Sequence, residues 1–247
     1  MLKKRIENKK LKILILGANS EIGNQIIKEA KFGEQTKRVF VGRTFPGSEF
    51  RYNDIFHKFE ASEYLEFKSQ FRNILEKNRI NLVIISYASN QYSDEDSEAR
   101  SNIVNFNSIA SFASTTIKYF EQENFGTLIY VSSSIIKLRP REKNYKYTSA
   151  KLAADYYVNG LRNSLKNKNV KIVIIRPGYT KTKIHEGEIP GPFSTTKEKL
   201  AKSISKQLRL RFKIIYAPFL IRIPISFLRL VPSKLLDVLD VINSKRF

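Results

Sequence analysis

The chain has 247 residues and a formal net charge of +21, from 44 Lys and Arg against 23 Asp and Glu. Its length suits one α/β domain with a substantial core. The absence of Cys excludes disulfides, thiolate catalysis and thiolate metal sites, and a count of only two His disfavours a histidine metal cage or a Ser-His-Asp triad. We therefore expect no bound metal. The charged N-terminus has no apolar stretch of signal-peptide length, so we expect a cytoplasmic location.

Short apolar runs alternate with helical patterns along the first 180 residues. The six predicted strands span residues 11–16, 38–42, 50–55 (the weakest of them), 82–85, 126–131 and 171–175. Helical patterns follow Gly23 and cover 62–78, about 103–120 and 143–165. This alternation predicts an α/β fold with a doubly wound parallel sheet in three layers, of the Rossmann type.

A glycine-containing segment, Gly17 to Gly23 (Gly-Ala-Asn-Ser-Glu-Ile-Gly), lies between the first strand and the first helix. A dinucleotide-phosphate loop needs this context, because backbone N–H groups at the helix start and the helix dipole hold the pyrophosphate. The candidate cofactor-binding residues in the segment are Gly17, Asn19, Ser20, Glu21, Ile22 and Gly23.

Tyr147 and Lys151 are four residues apart in a predicted helix and so share one of its faces. A phenol with a pKa near ~10 exchanges protons poorly at neutral pH unless a nearby cation stabilises its anion. The spacing alone is weak support, because both residue types are common in helices. The Gly17 loop, Arg43, Ala88, the run 132–134 and the dipeptide 177–178 all follow predicted strands, where α/β sheets bind ligands. This convergence predicts a site around the pair.

With these positions in place, residues 12–184 resemble the short-chain dehydrogenase/reductase family. The matching features are the Gly17/Gly23 turn, Ala88, an Asn on a helix, a run of Ser, Tyr147-x-x-x-Lys151 and Pro177-Gly178-x-x-x-Thr182. The resemblance implies an NAD- or NADP-dependent reductase or dehydrogenase with a Ser-Tyr-Lys site and an assisting Asn.

The resemblance also implies a role for each catalytic residue. Tyr147 gives its proton to a substrate carbonyl, and Lys151 lowers the pKa of Tyr147 and binds the nicotinamide ribose. The Ser that polarises the carbonyl is Ser133 when counted from Gly126 or Ser134 when counted back from Tyr147, and we prefer Ser133 with an extra residue in the loop 137–143.

The assisting Asn has two candidates in the resemblance. Asn107 has the small Ala110 at the expected spacing, whereas Asn105 fits the distance to Gly126; we favour Asn107.

The resemblance assigns further contacts to the cofactor. Ala88 packs against it, Asp54 contacts the adenine, and the nicotinamide end is contacted by Pro177, Gly178, Thr180 and Thr182. Arg43 stands where an NAD-selecting acid would follow the second strand, and its guanidinium suits a 2′-phosphate. We therefore expect NADPH, with NAD as the alternative.

Two departures from the family pattern concern the cofactor site. Glu21 replaces the middle glycine of the loop, and its carboxylate would repel a pyrophosphate if it pointed inward. The segment after the fourth strand, Ser86-Tyr87-Ala88-Ser89, keeps only Ala88 of the usual small residues.

The C-terminal region is basic and apolar. We expect a reductase domain over 1–210, with a substrate lid at about 185–200, and a basic amphipathic segment over 211–247. Arg222 and Arg229 disfavour a membrane span. Two interpretations stay open: helices on an anionic membrane surface, which would place the protein at the inner face of the membrane, or a seventh strand at 214–216 with the rest packed on the domain.

The substrate follows less directly from the sequence. A weaker resemblance, to decaprenylphosphoryl-2-keto-arabinose reductase-like members of the family, favours a keto-sugar or lipid-linked carbonyl substrate. The alternatives are a nucleotide-sugar epimerase or dehydratase of the wider fold, and a non-catalytic NADP-binding, membrane-associated protein. The charge alone, without a reading element, does not predict nucleic-acid binding. We also expect a homo-oligomer.

Overall fold

The computed structural model describes residues 11–29, 36–47, 50–138, 144–166, 169–180, 194–210 and 212–223. Four predictions therefore lie wholly or largely outside the described residues. These are the role of Thr182, the substrate lid before residue 194, the extra residue in the loop 137–143, and the membrane-facing part of the tail beyond residue 223.

Seven strands lie in the part of the chain that the structure describes. They are β1 Lys12–Leu16, β2 Lys37–Gly42, β3 Ile55–Lys58, β4 Leu82–Ile85, β5 Gly126–Val131, β6 Val170–Pro177 and β7 Ile214–Ala217. The α-helices of the same ranges are α1 Glu21–Glu29, α2 Tyr64–Lys77, α3 Glu95–Asn102, α4 Ser108–Gln122, α5 Tyr145–Ser164 and α6 Lys197–Arg209. A π-helical turn, Ile103–Asn107, joins α3 to α4.

The strands form one parallel sheet in the order β3-β2-β1-β4-β5-β6-β7. The chain winds outward in one direction from β1 to β3 and in the other direction from β4 to β7. The predicted doubly wound parallel sheet is therefore confirmed. The winding reverses between β1 and β4, and the crevice at the carboxyl ends of such strands is where open α/β sheets bind ligands.

The core has two layers because successive strand residues face opposite sides of the sheet. Leu14 and Leu16 of β1 pack on the side of α2, α4 and α5. Ile13 and Ile15 pack on the other side, against α1 and α6. Strands buried on both faces read as unbroken apolar runs, which explains why the sequence located most of them.

The weakest predicted strand is misplaced in the sequence analysis. Residues 50–55 were expected to be extended, but β3 begins only at Ile55. The preceding residues form a turn, in which Asp54 N–H donates to the Arg51 carbonyl oxygen (3.0 Å) and the Asp54 carboxylate accepts from Arg51 N–H (2.7 Å). An Asp that closes such a turn competes with strand formation.

The predicted seventh strand is confirmed by β7, which pairs with β6 from Ile174 opposite Ile214 to Pro177 opposite Ala217. The apolar stretch that continues beyond β7 begins with a short 3₁₀ turn, Phe219–Ile221. Among the helices of the described ranges, none is both long and apolar enough to cross a bilayer.

Candidate active site

The turn after β1 is shaped by Gly17, whose φ is +100°, a conformation that side-chain-bearing residues rarely adopt. A Cβ atom at Gly17 would overlap the backbone carbonyl of Ser86, which follows β4. Gly17 N–H and Ala18 N–H both donate to the Val41 carbonyl oxygen of β2 (2.9 and 3.1 Å). The carboxyl ends of β1, β2 and β4 therefore meet at this turn.

Ser20 connects the turn to the start of α1. Its hydroxyl accepts from Gly23 N–H (3.1 Å) and is hydrogen-bonded to the Ser86 hydroxyl (2.6 Å). A Cβ atom at Gly23 would lie 3.0 Å from the Ser86 Cβ, closer than side chains normally approach. These contacts hold the first turn of α1 at the point where the winding reverses.

The Glu21 side chain is turned toward α6. Its carboxylate accepts a hydrogen bond from the Lys197 ammonium (2.7 Å), and both side chains are partly exposed. The inward orientation that would repel a pyrophosphate is therefore absent, because the carboxylate is paired with a cation from another helix.

Arg43 directly follows β2, and Asn19, in the loop after β1, contacts the next residue, Thr44. The Asn19 amide donates to the Thr44 carbonyl oxygen (3.0 Å) and hydroxyl (2.6 Å), which fixes the loop after Arg43 against the phosphate loop. The Arg43 side chain is 71% exposed, with its Nε 4.0 Å from the Glu60 carboxylate. An exposed pair at this distance contributes little energy, so the guanidinium is available to a ligand.

Lys151 lies on α5 with its side chain almost fully buried. Its ammonium donates to the Tyr87 carbonyl oxygen (3.2 Å), in the segment that leaves β4, and lies 5.5 Å from the centre of the Tyr130 ring. Burial lowers the pKa of Lys151 to about 8, and the negative charge of Asp155 opposes that effect. This lysine loses its charge within the range of mildly alkaline pH.

Tyr147 lies one helical turn before Lys151 on α5 and is half-buried. Burial raises the pKa of Tyr147, and the nearby Tyr92 adds to the shift. The net shift of this pKa is upward because burying a phenolate is costly, and the predicted lowering by Lys151 stays a prediction. The Tyr147 phenol keeps its proton at neutral pH, as a proton donor must.

The segment after β6 lies at the same edge of the sheet. Gly178 N–H donates to the Ala217 carbonyl oxygen of β7 (2.8 Å), and a Cβ atom at Gly178 would overlap Ile221. Thr180 is buried, donates its hydroxyl proton to the Gly178 carbonyl oxygen (3.0 Å) and pairs with Thr195 just before α6. These contacts place the segment from Pro177 to Thr180 next to β7 and to the residues just before α6.

Residues 82–191 match the family model described as short chain dehydrogenase. An uncharacterized oxidoreductase of Mycobacterium tuberculosis is 35% identical over 107 residues, 43% of this chain and 43% of that protein. An uncharacterized oxidoreductase of Streptomyces coelicolor is 28% identical over 117 residues, 47% of this chain and 45% of that protein. The alignments thus span less than half of the length of these relatives.

Solved structures extend the likeness to most of the chain. A short chain dehydrogenase from Burkholderia cenocepacia in complex with NADP has a TM-score of 0.71 at 15% identity, covering 91% of this chain and 99% of that one. One from Sphingobium yanoikuyae in complex with NADPH has a TM-score of 0.70 at 18% identity, covering 95% and 94%. At such identities the likeness shows the fold. The chain is thus similar to short-chain dehydrogenases over residues 82–191 and shares the fold of their solved structures.

A dinucleotide fits the residues that the chain places at the winding reversal. The close approach of Gly17 to Ser86 leaves backbone, rather than a side chain, at the start of α1. Glu21 is paired with Lys197, and the exposed Arg43 adds a positive charge. The roles of the individual loop residues remain predictions.

The structure gives the two candidates for the assisting Asn different surroundings, and the choice of Asn107 stays a prediction. Asn107 is exposed, whereas Asn105 is fully buried and holds the segment after β4: its amide oxygen accepts from Ser89 N–H (3.0 Å) and its amide nitrogen donates to the Ser89 carbonyl (2.7 Å) and the Tyr92 hydroxyl (3.0 Å). The π-helical turn 103–107 rotates the helix face relative to a regular α-helix, which a spacing argument does not anticipate.

The predicted adenine contact of Asp54 disagrees with its position in the structure. It precedes β3 and so lies at the amino end of the parallel sheet, the edge opposite the phosphate loop. Its carboxylate forms a buried ion pair with Arg38 of β2, in which Arg38 Nε donates to Oδ1 (2.9 Å). A carboxylate in this position supports the pairing of β2 and β3 and cannot contact an adenine at the other edge.

The three Ser residues after β5 have different surroundings. Ser132 donates to the Asp155 carboxylate (2.7 Å), Ser133 is half-buried and its hydroxyl accepts from Ile135 N–H (3.3 Å), and Ser134 is buried. The choice between Ser133 and Ser134 as the carbonyl-polarising residue stays a prediction. Ala88 lies between Tyr87, which binds Lys151, and Ser89, which binds Asn105.

A buried network of hydrogen bonds and an ion pair beneath the site was not predicted from the sequence. The Asp155 carboxylate accepts from Arg176 (2.9 and 2.6 Å) as well as from Ser132, and Arg176 also donates to the Tyr216 hydroxyl (2.8 Å). The network joins α5, β5, β6 and β7 one turn beyond Lys151. Its sequence signal is an acid four residues after Lys151 and an Arg before Pro177, but two such residues are paired only by the fold.

Proposed function

We propose that the protein is an NADPH-dependent reductase that transfers a hydride to a substrate carbonyl. The observation that carries the proposal is the position of Lys151, whose buried ammonium binds the carbonyl oxygen of Tyr87 at the exit of β4. The same exit packs against Gly17 through Ser86. The Tyr147–Lys151 pair and the phosphate loop therefore share one crevice at the winding reversal.

NADPH, when bound, supplies the hydride. The phosphate loop from Gly17 to Gly23 would hold its pyrophosphate, and Arg43 would pair with its 2′-phosphate, because no acid follows β2 to accept a ribose 2′-hydroxyl. The solved structures in complex with NADP and NADPH are in line with this choice but belong to other proteins.

The side chains around the pair perform the proton chemistry in this proposal. Tyr147 keeps its proton at neutral pH and donates it to the carbonyl oxygen of the substrate. The Lys151 ammonium then offsets the charge of the phenolate that is left, since the two groups lie one turn apart on α5. Ser133, with Ser134 as the alternative, donates a hydrogen bond to the carbonyl and so polarises it.

For the substrate we propose a keto-sugar or another carbonyl compound attached to a lipid. The support is the sequence after β7, a mainly apolar stretch up to residue 231 that is interrupted by Arg222 and Arg229. Recovery of the full chain with anionic but not with neutral vesicles would support the membrane-facing part of this proposal. Equal recovery with both would remove it.

Tyr147→Phe tests the proposed chemistry. It removes the proton donor without changing the ring, so we expect kcat to fall by about three orders of magnitude or more, while the Kd for NADPH stays within about twofold. NADPH oxidation is measured over a panel of carbonyl compounds that includes lipid-linked keto-sugars, with NADH as the comparison cofactor. Unchanged turnover would exclude Tyr147 from catalysis, and a lower Michaelis constant for NADH would overturn the NADPH assignment.

A further inference from the structure

Asp155 of α5 carries a carboxylate that is almost fully buried and accepts three hydrogen bonds. Arg176 of β6 donates two of them, from Nε to Oδ2 (2.9 Å) and from Nη2 to Oδ1 (2.6 Å), and the Ser132 hydroxyl donates the third to Oδ2 (2.7 Å). Burying two charges is costly, and apolar side chains of similar volume can often replace such a pair without loss of stability. Stability alone therefore does not explain the ion pair, and its contact with Ser132 indicates a second role.

The ion pair holds Ser132 in one orientation. The two hydrogen bonds from Arg176 fix the plane of the Asp155 carboxylate, and that carboxylate accepts the proton of the Ser132 hydroxyl. In the main chain, Ser132 N–H donates to the Ile175 carbonyl oxygen of β6 (2.7 Å). Ser132 is therefore anchored both to β6 and to α5.

The position of Ser132 determines where the next two residues lie. Ser133 is extended, and its hydroxyl accepts from Ile135 N–H (3.3 Å) at the start of a 3₁₀ turn, Ser134–Lys137. Both candidates for the carbonyl-polarising hydroxyl thus follow directly after the anchored residue. Because a misplacement of about 1 Å can slow a reaction by about a hundredfold, this hydroxyl and the Tyr147 phenol need a fixed separation.

Asp155 and Lys151 lie one turn apart on the same buried face of α5. Burial lowers the pKa of Lys151 to about 8, and the Asp155 carboxylate limits that fall. The ammonium also faces the Tyr87 carbonyl oxygen and the Tyr130 ring. The other charged or titratable groups that act on or with the carboxylate are Arg176 of β6, Tyr130 of β5 and Arg162 of α5. One face of α5 thus carries both the ammonium and the anchor of the Ser run.

We propose that Asp155 is a positioning residue: its carboxylate fixes the Ser run 132–134 and keeps a negative charge one turn from the Lys151 ammonium. Arg176 holds the carboxylate in the orientation that the hydrogen bond from Ser132 requires. The proposal rests on the proposed reductase function and extends it to a residue beneath the site that acts through its neighbours.

Ser132→Ala tests the positioning, with Ser97→Ala as the matched control. Ser97 of α3 is also buried, and its hydroxyl is hydrogen-bonded to the main chain of Asp94 (3.1 and 2.9 Å). Both variants lose a buried hydroxyl with its hydrogen bonds, so we expect a similar fall in Tm. Only Ser132→Ala should lower kcat, by roughly tenfold, while its Kd for NADPH stays within about twofold. Wild-type kcat in Ser132→Ala, or an equal loss in Ser97→Ala, would overturn the inference.

A second measurement does not depend on turnover and compares Asp155→Asn with Asp54→Asn. Each variant loses the carboxylate of an equally buried ion pair with an Arg, but Asp54 lies at the opposite edge of the sheet. Titration of lysine side chains by NMR, with the Lys151 signal assigned through Lys151→Met, reports the pKa of Lys151. We expect a lower pKa in Asp155→Asn only, because loss of a negative charge disfavours the charged amine. Ser132→Ala, which keeps the carboxylate, should leave this titration unchanged.

The two measurements separate the inference from the proposed function. A lower pKa of Lys151 in Asp155→Asn supports the inference even if the wild type turns over no carbonyl compound, a result that would remove the proposed function instead. A Lys151 titration that is unchanged in Asp155→Asn, or lowered equally in Asp54→Asn, would overturn the inference. If Asp155→Asn does not fold, the kcat of Ser132→Ala decides, since that variant keeps the ion pair.

Discussion

At the residue scale, a buried ammonium and a buried amide organise the site. Lys151 loses much of its affinity for a proton through burial, and it keeps its charge near neutral pH because its pKa remains about 8. Asn105 takes both backbone groups of Ser89 and so helps to hold the segment that leaves β4. The sequence identified Lys151 from its spacing to Tyr147, but spacing could not separate Asn105 from Asn107.

Asn105→Ala and Asn107→Ala separate the two amides experimentally. Asn105→Ala leaves the buried N–H and carbonyl of Ser89 unpaired, so we expect the free energy of unfolding to fall by about 2–3 kcal/mol and kcat/KM to fall at least roughly tenfold. Asn107→Ala changes an exposed side chain and should alter stability by no more than about 0.5 kcal/mol. Chemical denaturation and steady-state kinetics are the measurements. Loss of activity in Asn107→Ala alone would support Asn107 as the assisting residue.

At the element scale, two helices cooperate at the phosphate loop. α6 packs on α1 on the same face of the sheet, and the ion pair between Lys197 and Glu21 joins their first turns. The sequence identified Glu21 as a departure that would repel a pyrophosphate. Its compensation comes from a residue 176 positions later, and no local pattern indicates such a distant partner.

Lys197→Met tests this compensation, with Lys199→Met as the control. Lys199 is exposed two residues further along the same helix, so its substitution changes the net charge equally. We expect Lys197→Met to weaken NADPH binding by roughly tenfold, because the Glu21 carboxylate then faces the pyrophosphate uncompensated. Lys199→Met should stay within about twofold.

The double variant makes the test of compensation more specific. In Glu21→Gln/Lys197→Met both charges of the pair are gone, so the affinity for NADPH, measured by fluorescence titration, should return close to the wild-type value. Additive effects of the two substitutions, or equal losses in Lys197→Met and Lys199→Met, would contradict the compensation.

At the scale of the whole molecule, two buried ion pairs support the parallel sheet. Arg38–Asp54 lies at the amino end of β2 and β3, and Asp155–Arg176 lies beneath the site at the carboxyl end of β6. In both pairs the side chains are less than a tenth exposed, so each charge depends on its partner. Neither pair is evident from residue order, since the fold brings together residues that are 16 and 21 positions apart.

Asp54→Asn distinguishes a structural role from a cofactor contact. It removes the carboxylate that pairs with the buried Arg38 guanidinium, so we expect the free energy of unfolding to fall by about 3 kcal/mol. The Kd for NADPH of the folded variant should not change. Denaturant unfolding and a binding titration below the midpoint test this, with the exposed Asp96→Asn as the control. A stable variant with weakened NADPH binding would restore the predicted adenine contact.

The sequence by itself determined the elements whose signals are local. Strands buried on both faces are unbroken apolar runs, Gly17 is required where φ is positive, and Tyr147 and Lys151 share a face through helical spacing. These features determined the doubly wound sheet, and they predict the phosphate loop and the Tyr147–Lys151 pair.

Only the tertiary structure decided how distant residues pair. Asp54 pairs with Arg38 of β2, Asn105 binds the backbone of Ser89, and Lys197 pairs with Glu21 of another helix. The physical reason is common to all three: a buried or charged group takes the partner that the packed fold brings to it, and the energy of that pairing does not depend on the separation of the residues along the chain.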